Sequence, residues 1–414
     1  VKQKLLEQAQ AGQRASRQLA ALTGAVKDQL LLRIADELLA RSGILLAANE
    51  EDCQAGLHQG LSQALLDRLR LTPARVTAMA EGARQVAGLL DPIGREESWR
   101  RPNGLLIRKV RVPLGLICMI YEARPNVTVE SSCLAIKSGN ACLLRGSRSA
   151  WRSNEVLIEL IQDCLAESGL PRECVQGVVD LSHESIDILG GLRGHIDLLI
   201  PRGGASLIQR VVECARVPVL ETGVGNCHLF VHRQADLDLV VPLVINSKCS
   251  RPAVCNSLET LLLDAPVAAE ALARLAPALQ EQEVEVRGCP QTLAMLGWGN
   301  PVTQADYAEE FLEKILAVRV VDDLDQALQH IQQYGSGHTE CILTTNLSAA
   351  RRFQVEVDAC TVNVNASTRF TDGGEFGFGA EIGISTQKMH ARGPVGLAEL
   401  TTYKYWVEGN GQIR

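Results

Sequence analysis

No apolar run in the sequence approaches the roughly 20 residues that a membrane-spanning helix needs. The opening stretch VKQKLLEQAQAGQRASRQLAA is polar and amphipathic, unlike a secretion signal. No basic stripe is present either, since 41 Lys and Arg are interspersed among 48 Asp and Glu for a formal charge of −7. Counterion release from a polyanion therefore has no source. Neither nucleic acid nor membrane is an expected partner, and a cytoplasmic location is expected. There is no CxxC pair, and the eight His are scattered without HxxH or HExxH spacing, so no metal is expected. Thirteen cysteines, an odd number at irregular spacing, are expected to be free thiols. A GxGxxG fingerprint is missing after every strand-like segment, so a dinucleotide would need another phosphate device.

In a chain of 414 residues, 46% hydrophobic content supplies two or three cores rather than one. Up to about residue 95 the apolar positions, such as Leu30, Leu31, Ile34, Leu38 and Leu39, recur at helical steps. From Val112 to Val231 short apolar runs alternate with amphipathic stretches: PLGLICMIY, a helix near Val127 to Ser138, ACLLRG, a helix through Leu157 to Leu165, then VQGVVD, IDLLIP, VPVLE and HLFV. This pattern predicts an α/β fold with a parallel sheet covered by helices on both faces. After residue 235 a second α/β unit is expected from helical DLDLVVPLVINSK, apolar LETLLLD, helical VAAEALARLAPALQ and strand-like ILAVRVV. LETLLLD reads either as a helix opened by Asn256 and Glu259 as a loose capping box or as a buried strand. Periodicity does not separate the two, and the strand is favoured. TVNVNAS and the glycine-rich TRFTDGGEFGFGAEIGIS follow, the latter suited to a ligand-contacting loop. The β-rich TTYKYWV near the end could add to a sheet of a neighbouring subunit.

Most cysteines in a reduced protein act as small hydrophobes, and twelve here fit that role. Cys255 differs. It lies in NSKCSRPAVCNSLETLL between Pro252 and Asn256, with Lys248 and Arg251 near enough in sequence to favour a thiolate. In IPRGGASLIQRVV, Gly203 and Gly204 join a strand to a helix; backbone N–H groups there would either face a phosphate or form a plain turn.

Five stretches in order, YEARPNVTVE, IPRGGA, RPAVCNSLETLL, VDDLDQALQHIQQYGSGHTECI and HARGPVGL, make the whole chain resemble the glutamate-5-semialdehyde dehydrogenase (γ-glutamyl phosphate reductase) family of the aldehyde dehydrogenase superfamily. The fourth matches the family signature through Ala327, His330, Tyr334, Gly335, Ser336, His338, Thr339 and Glu340. The resemblance implies an aldehyde-dehydrogenase-like α/β architecture. Its parts would be a Rossmann-type nucleotide-binding domain over 1–97 and 116–227 with a return segment at 361–392, an α/β catalytic domain over 228–360, and a small oligomerisation strip from 98–115 and 393–414. It also implies reduction of L-glutamate 5-phosphate to L-glutamate 5-semialdehyde in proline biosynthesis, with Cys255 as nucleophile and the Asn126 amide at an oxyanion hole. Glu221 matches the carboxylate that activates a water in aldehyde-oxidising relatives; a reductase needs no such water, so Glu221 either tunes the thiol or orients the glycine turn after it. ACLLRGSR is similar to the segment that holds the adenosine ribose, through Arg145, Ser147 and Arg148. A guanidinium at Arg148 suits a 2′-phosphate and so implies NADPH. Gly203 and Gly204 join this cofactor set, and Glu310 corresponds to the acidic residue for the nicotinamide ribose. Arg124, Arg251, Arg369 and His338 are the implied cations for the substrate. With no amino-acid kinase segment, a separate glutamate 5-kinase and a homo-oligomer are expected. Two alternatives remain, an enzyme oxidising an aldehyde to an acid and a non-catalytic nucleotide-binding scaffold.

Overall fold

The computed structural model describes residues 1–414 apart from the side chains of Ala64 and Ala205. Five helices open the chain: Lys2–Leu19, Gly24–Ala40, Ser42–His58, Gln63–Leu69 and Pro73–Gly88. The last begins where Thr72 accepts a hydrogen bond from Arg75 N (3.2 Å) and Pro73 fills the first helical position, so the sequence carries its own start signal. Residues Val1–Thr222, Gly377–Gly383 and Val395–Arg414 form one unit, and Gly223–Phe376 with Ile384–Pro394 a second.

The first unit holds a four-stranded parallel sheet in the order Val175–Gly177, Ala141–Arg145, Leu116–Tyr121, Leu198–Arg202. The strand that comes first in the chain is internal, two follow outward on one side, and the fourth returns to the other side. Such a reversal creates a crevice beyond the strand ends, here between Tyr121 and Arg202, where α/β sheets bind ligands. The middle strands are buried throughout because helices such as Pro125–Lys137 and Trp151–Glu167 cross between them. VPVLE, expected as a further strand, makes only a single bridge, Leu199 with Val219. An antiparallel three-stranded sheet, Glu96–Arg100, Leu106–Pro113 and Thr401–Glu408, belongs to the same unit. Trp99, Tyr403, Tyr405 and Trp406 are exposed on it.

The second unit is built on seven parallel strands in the order Asn300–Pro301, Glu285–Gly288, Ile315–Val321, Leu258–Asp264, Cys227–Val231, Thr339–Leu343, Thr361–Val364. LETLLLD is the central strand and is buried at every position. Val240–Cys249 and Ala265–Glu281 pack on one face through Val244, Leu272 and Leu275. Leu324–Tyr334 and Leu347–Glu356 cover the other through Ala327, Ile331 and Phe353.

The unit boundaries differ from those expected. The first unit stops at Thr222 rather than 227, because Cys227 is already hydrogen-bonded into the second sheet beside Leu258. The segment expected to return at 361–392 mostly stays in the second unit, since Thr361–Val364 pairs with Thr339–Leu343; only Gly377–Gly383 joins the first. Gly393 and Pro394, expected in the strip, instead pair with Ile384 and Ser385 of the second unit.

Candidate active site

Cys255 lies in the loop between the helix Val240–Cys249 and the strand Leu258–Asp264, half-buried, whereas Cys118, Cys142 and Cys341 are fully enclosed. Burial pushes those three thiols up to about 12, which keeps them inert. The loop is held from below by backbone. A Cβ placed on Gly225 would fall 1.5 Å from the Cys255 carbonyl oxygen, so only glycine permits this approach. The same oxygen accepts a bond from the Cys227 thiol at 3.2 Å.

Both ends of the loop are anchored. Lys248 Nζ, on the preceding helix, donates to Glu259 Oε2 at 2.5 Å, and both side chains are wholly buried. Lys248 is therefore not available as the cation expected to favour the Cys255 thiolate; its charge is directed into the core. Next to Cys255, the Asn256 amide donates to the carbonyls of Arg369 (3.3 Å) and Thr371 (2.9 Å), while Thr368 Oγ1 donates to the Asn256 carbonyl at 2.7 Å. Arg369 Nε reaches Ser250 Oγ at 3.3 Å. The guanidinium is thus hung on the loop that carries Cys255. Desolvation and the neighbouring Arg251 hold Arg369 below the ordinary arginine value, while Asp372 and Cys255 act in the opposite sense.

His338 does not belong with the cations. It is fully buried, its Nδ1 pairs with Thr339 Oγ1 at 2.8 Å, and desolvation lowers it to about 4, so it is a neutral core residue at neutral pH. Glu310 is partly buried, and its Oε1 accepts from Gly225 N at 2.9 Å. It secures the glycine that underlies Cys255.

The remaining expected residues lie in the first unit. Arg124 stands at the N-cap position of the helix Pro125–Lys137 without a side-chain capping bond, and the Asn126 amide donates to Glu130 Oε1 at 2.9 Å one turn on. Glu221 sits on the irregular segment before Gly223, half-exposed. Arg145 ends the strand Ala141–Arg145 and donates to the carbonyls of Leu181 (2.9 Å) and Ser182 (3.1 Å). Ser147 Oγ lies 2.8 Å from Ser149 Oγ, and Arg148 is exposed. Gly204 N, at the start of the helix Ala205–Cys214, already donates to Glu122 Oε2 at 3.0 Å. A carboxylate of the chain thus stands where a phosphate was considered.

The aldehyde dehydrogenase family model matches residues 2–293. Gamma-glutamyl phosphate reductase of Moorella thermoacetica is 52% identical, covering 98% of this chain and 97% of its own length. That of Halothermothrix orenii is 49% identical, over 100% and 99%. The chain belongs to the gamma-glutamyl phosphate reductase branch of the aldehyde dehydrogenase family. Gamma-glutamyl phosphate reductase of Thermotoga maritima has the same fold in its crystal structure, with a TM-score of 0.97, 46% identity and 99% coverage of each chain.

The aldehyde dehydrogenase fold implies a nicotinamide nucleotide, and the residues at the end of Ala141–Arg145 fit one. Arg145 Nε is buried without a hydrogen-bond partner, and the exposed Arg148 is close enough to act on it electrostatically. Such a donor set suits anionic and hydroxylated ligand groups. Among the described residues, no group of three or more His, Cys, Asp or Glu could hold a metal ion, and no helix is long and apolar enough to cross a membrane.

Sequence reasoning missed the anchoring roles of Lys248, Glu259, Gly225 and Asn256. A signal existed for one of them: Glu259 interrupts an otherwise apolar run that reads as a buried strand, and a carboxylate there requires a partner.

Proposed function

We propose that this chain uses NADPH to reduce L-glutamate 5-phosphate to L-glutamate 5-semialdehyde and phosphate, through a thioester on Cys255, as a step of proline biosynthesis. The observation that carries the reading is the half-exposed Cys255 on a doubly anchored loop to which Arg369 is hydrogen-bonded, in a chain about half identical over its full length to curated gamma-glutamyl phosphate reductases.

The Cys255 thiolate attacks the C5 carbonyl, a sulfur–carbon bond forms, and phosphate leaves with the electrons of the broken C–O bond. Each addition places negative charge on the carbonyl oxygen, where the Asn126 amide, exchanging Glu130 for that oxygen, would contribute about 3–4 kcal/mol. A nicotinamide nucleotide held by Arg145, Ser147 and Arg148 would supply the hydride. The thiohemiacetal oxyanion then re-forms the carbonyl and expels Cys255 as thiolate, so the chain's own groups end as they began. Glu221 is assigned to orienting the glycine turn after it, because this sequence of bond changes needs no water.

Arg145, Ser147 and Arg148 are assigned to the nucleotide, with Arg148 for a 2′-phosphate. Gly203, Gly204 and Glu310 line the same ligand, the first two with Glu122 displaced from Gly204 N. Arg124, Arg251 and Arg369 bind the substrate's anionic groups. The first unit is assigned to nucleotide binding and the second to catalysis. Exposed Tyr403, Tyr405 and Trp406 on the edge strand Thr401–Glu408 support pairing of subunits in a homo-oligomer. A cytoplasmic location and supply of substrate by a separate glutamate 5-kinase complete the reading.

The test runs the reaction backward. Phosphate-dependent NADP reduction with glutamate 5-semialdehyde is expected, lost in Cys255→Ala and weaker with NAD. Turnover that survives Cys255→Ala, or that yields glutamate without needing phosphate, would refute it.

A further inference from the structure

The turn Thr368–Phe370 is fastened at one end to the helix that precedes the Cys255 loop and at the other to the loop itself. Upstream, Ser247 Oγ and Ser367 Oγ are 2.9 Å apart and Thr368 N donates to Ser247 Oγ at 3.3 Å. Downstream, Asn256 bonds the carbonyls of Arg369 and Thr371. So many tethers on one short turn keep its single cation, Arg369, on the loop that holds Arg251 and Cys255.

Arg369 Nε reaches Ser250 Oγ at 3.3 Å, next in the chain to the exposed Arg251, whose like charge acts on the partly desolvated Arg369. Neither forms a salt bridge among the described residues. The carboxylate of Asp372 does act on Arg369, but its Oδ1 accepts from Gly374 N (2.8 Å) and Glu375 N (3.2 Å) and so is engaged in its own turn. Glu375 is exposed. Two like charges acting on one another near a thiol favour an anion that joins them.

We propose that Arg369 and Arg251 form the seat of the phosphate group of the acyl phosphate, rather than of the α-carboxylate. This inference rests on the substrate proposed above. The phosphate is bonded to the carbon that Cys255 attacks, whereas the α-carboxylate lies at the far end of the substrate, so cations tethered to the Cys255 loop meet the phosphate. A phosphate dianion also matches two guanidiniums in charge and in fork geometry. As the C–O bond breaks, charge grows on the departing phosphate, and these cations stabilise it.

The test separates the two anionic ends. In the phosphate-dependent reverse reaction, Arg369→Gln and Arg251→Gln are each expected to raise the KM for inorganic phosphate about tenfold. The KM for the semialdehyde should stay within about twofold, and Arg369→Lys should recover part of the loss. A raised semialdehyde KM with the phosphate KM unchanged would overturn the proposal, as would no change in either. A second readout needs no turnover: inorganic phosphate should slow alkylation of Cys255 by iodoacetamide in the wild-type chain and much less in Arg369→Gln. If the wild type does not turn over at all, the substrate reading fails, and the alkylation assay still decides the anion seat. Absence of phosphate protection in the wild type would then reject it. Should Arg369→Gln fail to fold, Arg251→Gln and Arg369→Lys carry the same comparison.

Discussion

Replacing Lys248 by Met leaves the Glu259 carboxylate in the core with no counter-charge. The two side chains are wholly buried and 2.5 Å apart, and removing one partner of such a pair costs about 3–5 kcal/mol. Burial raises the Glu259 carboxyl and lowers the Lys248 ammonium, and each is opposed by the other's charge. Without Lys248 the Glu259 value rises further. A carboxyl whose folded value lies above its unfolded 4.5 favours folding fully below 4.5 and loses that contribution as pH rises through the folded value. Lys248→Met should therefore be most stable in acid. Glu259→Gln strands a lysine with a depressed folded value, so its stability should increase with pH up to the unfolded 10.5. Each slope is at most about 1.4 kcal/mol per pH unit. Hydrogen exchange at the amides of Leu258–Asp264 reads the second unit by itself. Replacing both residues, Lys248→Met with Glu259→Leu, should recover most of the loss, since an apolar pair of similar size is often as stable as a buried ion pair. Slopes of the same sign in the two single variants, or a cost below about 1 kcal/mol for Lys248→Met, would refute the reasoning.

Gly225→Ala would drive a methyl group into the Cys255 carbonyl, 1.5 Å away; we expect a displaced loop and at least about a hundredfold loss of Cys255 alkylation or turnover, and near-wild-type rates would contradict the packing. Arg148→Ala should raise the KM for NADP about tenfold or more while leaving that for NAD within about twofold, since one charge-assisted contact to the 2′-phosphate is lost. Asn126→Ala should lower kcat about 10²–10³-fold with little change in KM; a change in KM alone would reassign the amide to ground-state binding. Because His338 titrates near 4, a pH–rate profile between 6 and 8 should be the same in His338→Gln if that variant folds, and a shifted profile would return His338 to the titrating groups.

The sequence by itself determined the helices at the start of the chain, the alternation of strand and helix in both units, and which cysteine stands apart from the buried ones. These depend on local periodicity and on chemistry carried within one short stretch, such as the turn-flanked Cys255. LETLLLD was favoured as a buried strand over a helix, and only the sheet order made it the central one. What depended on partners distant in sequence was not legible. VPVLE has the composition of a strand, yet it forms only the single bridge of Val219 with Leu199. His338 and Lys248 are cationic by type, but burial neutralises the first and Glu259 engages the second. Where the chain passes from one unit to the other was decided by the pairing of Cys227 with Leu258 and of Thr361 with Thr339, hydrogen bonds that no local pattern announces. Arg369 stands more than a hundred residues after Cys255, and tertiary bonds such as those from Asn256 to its carbonyl and from its Nε to Ser250 bring it to the same loop. Residue type can be read from the sequence; whether a charge meets solvent, a counter-ion or a ligand is set by the fold.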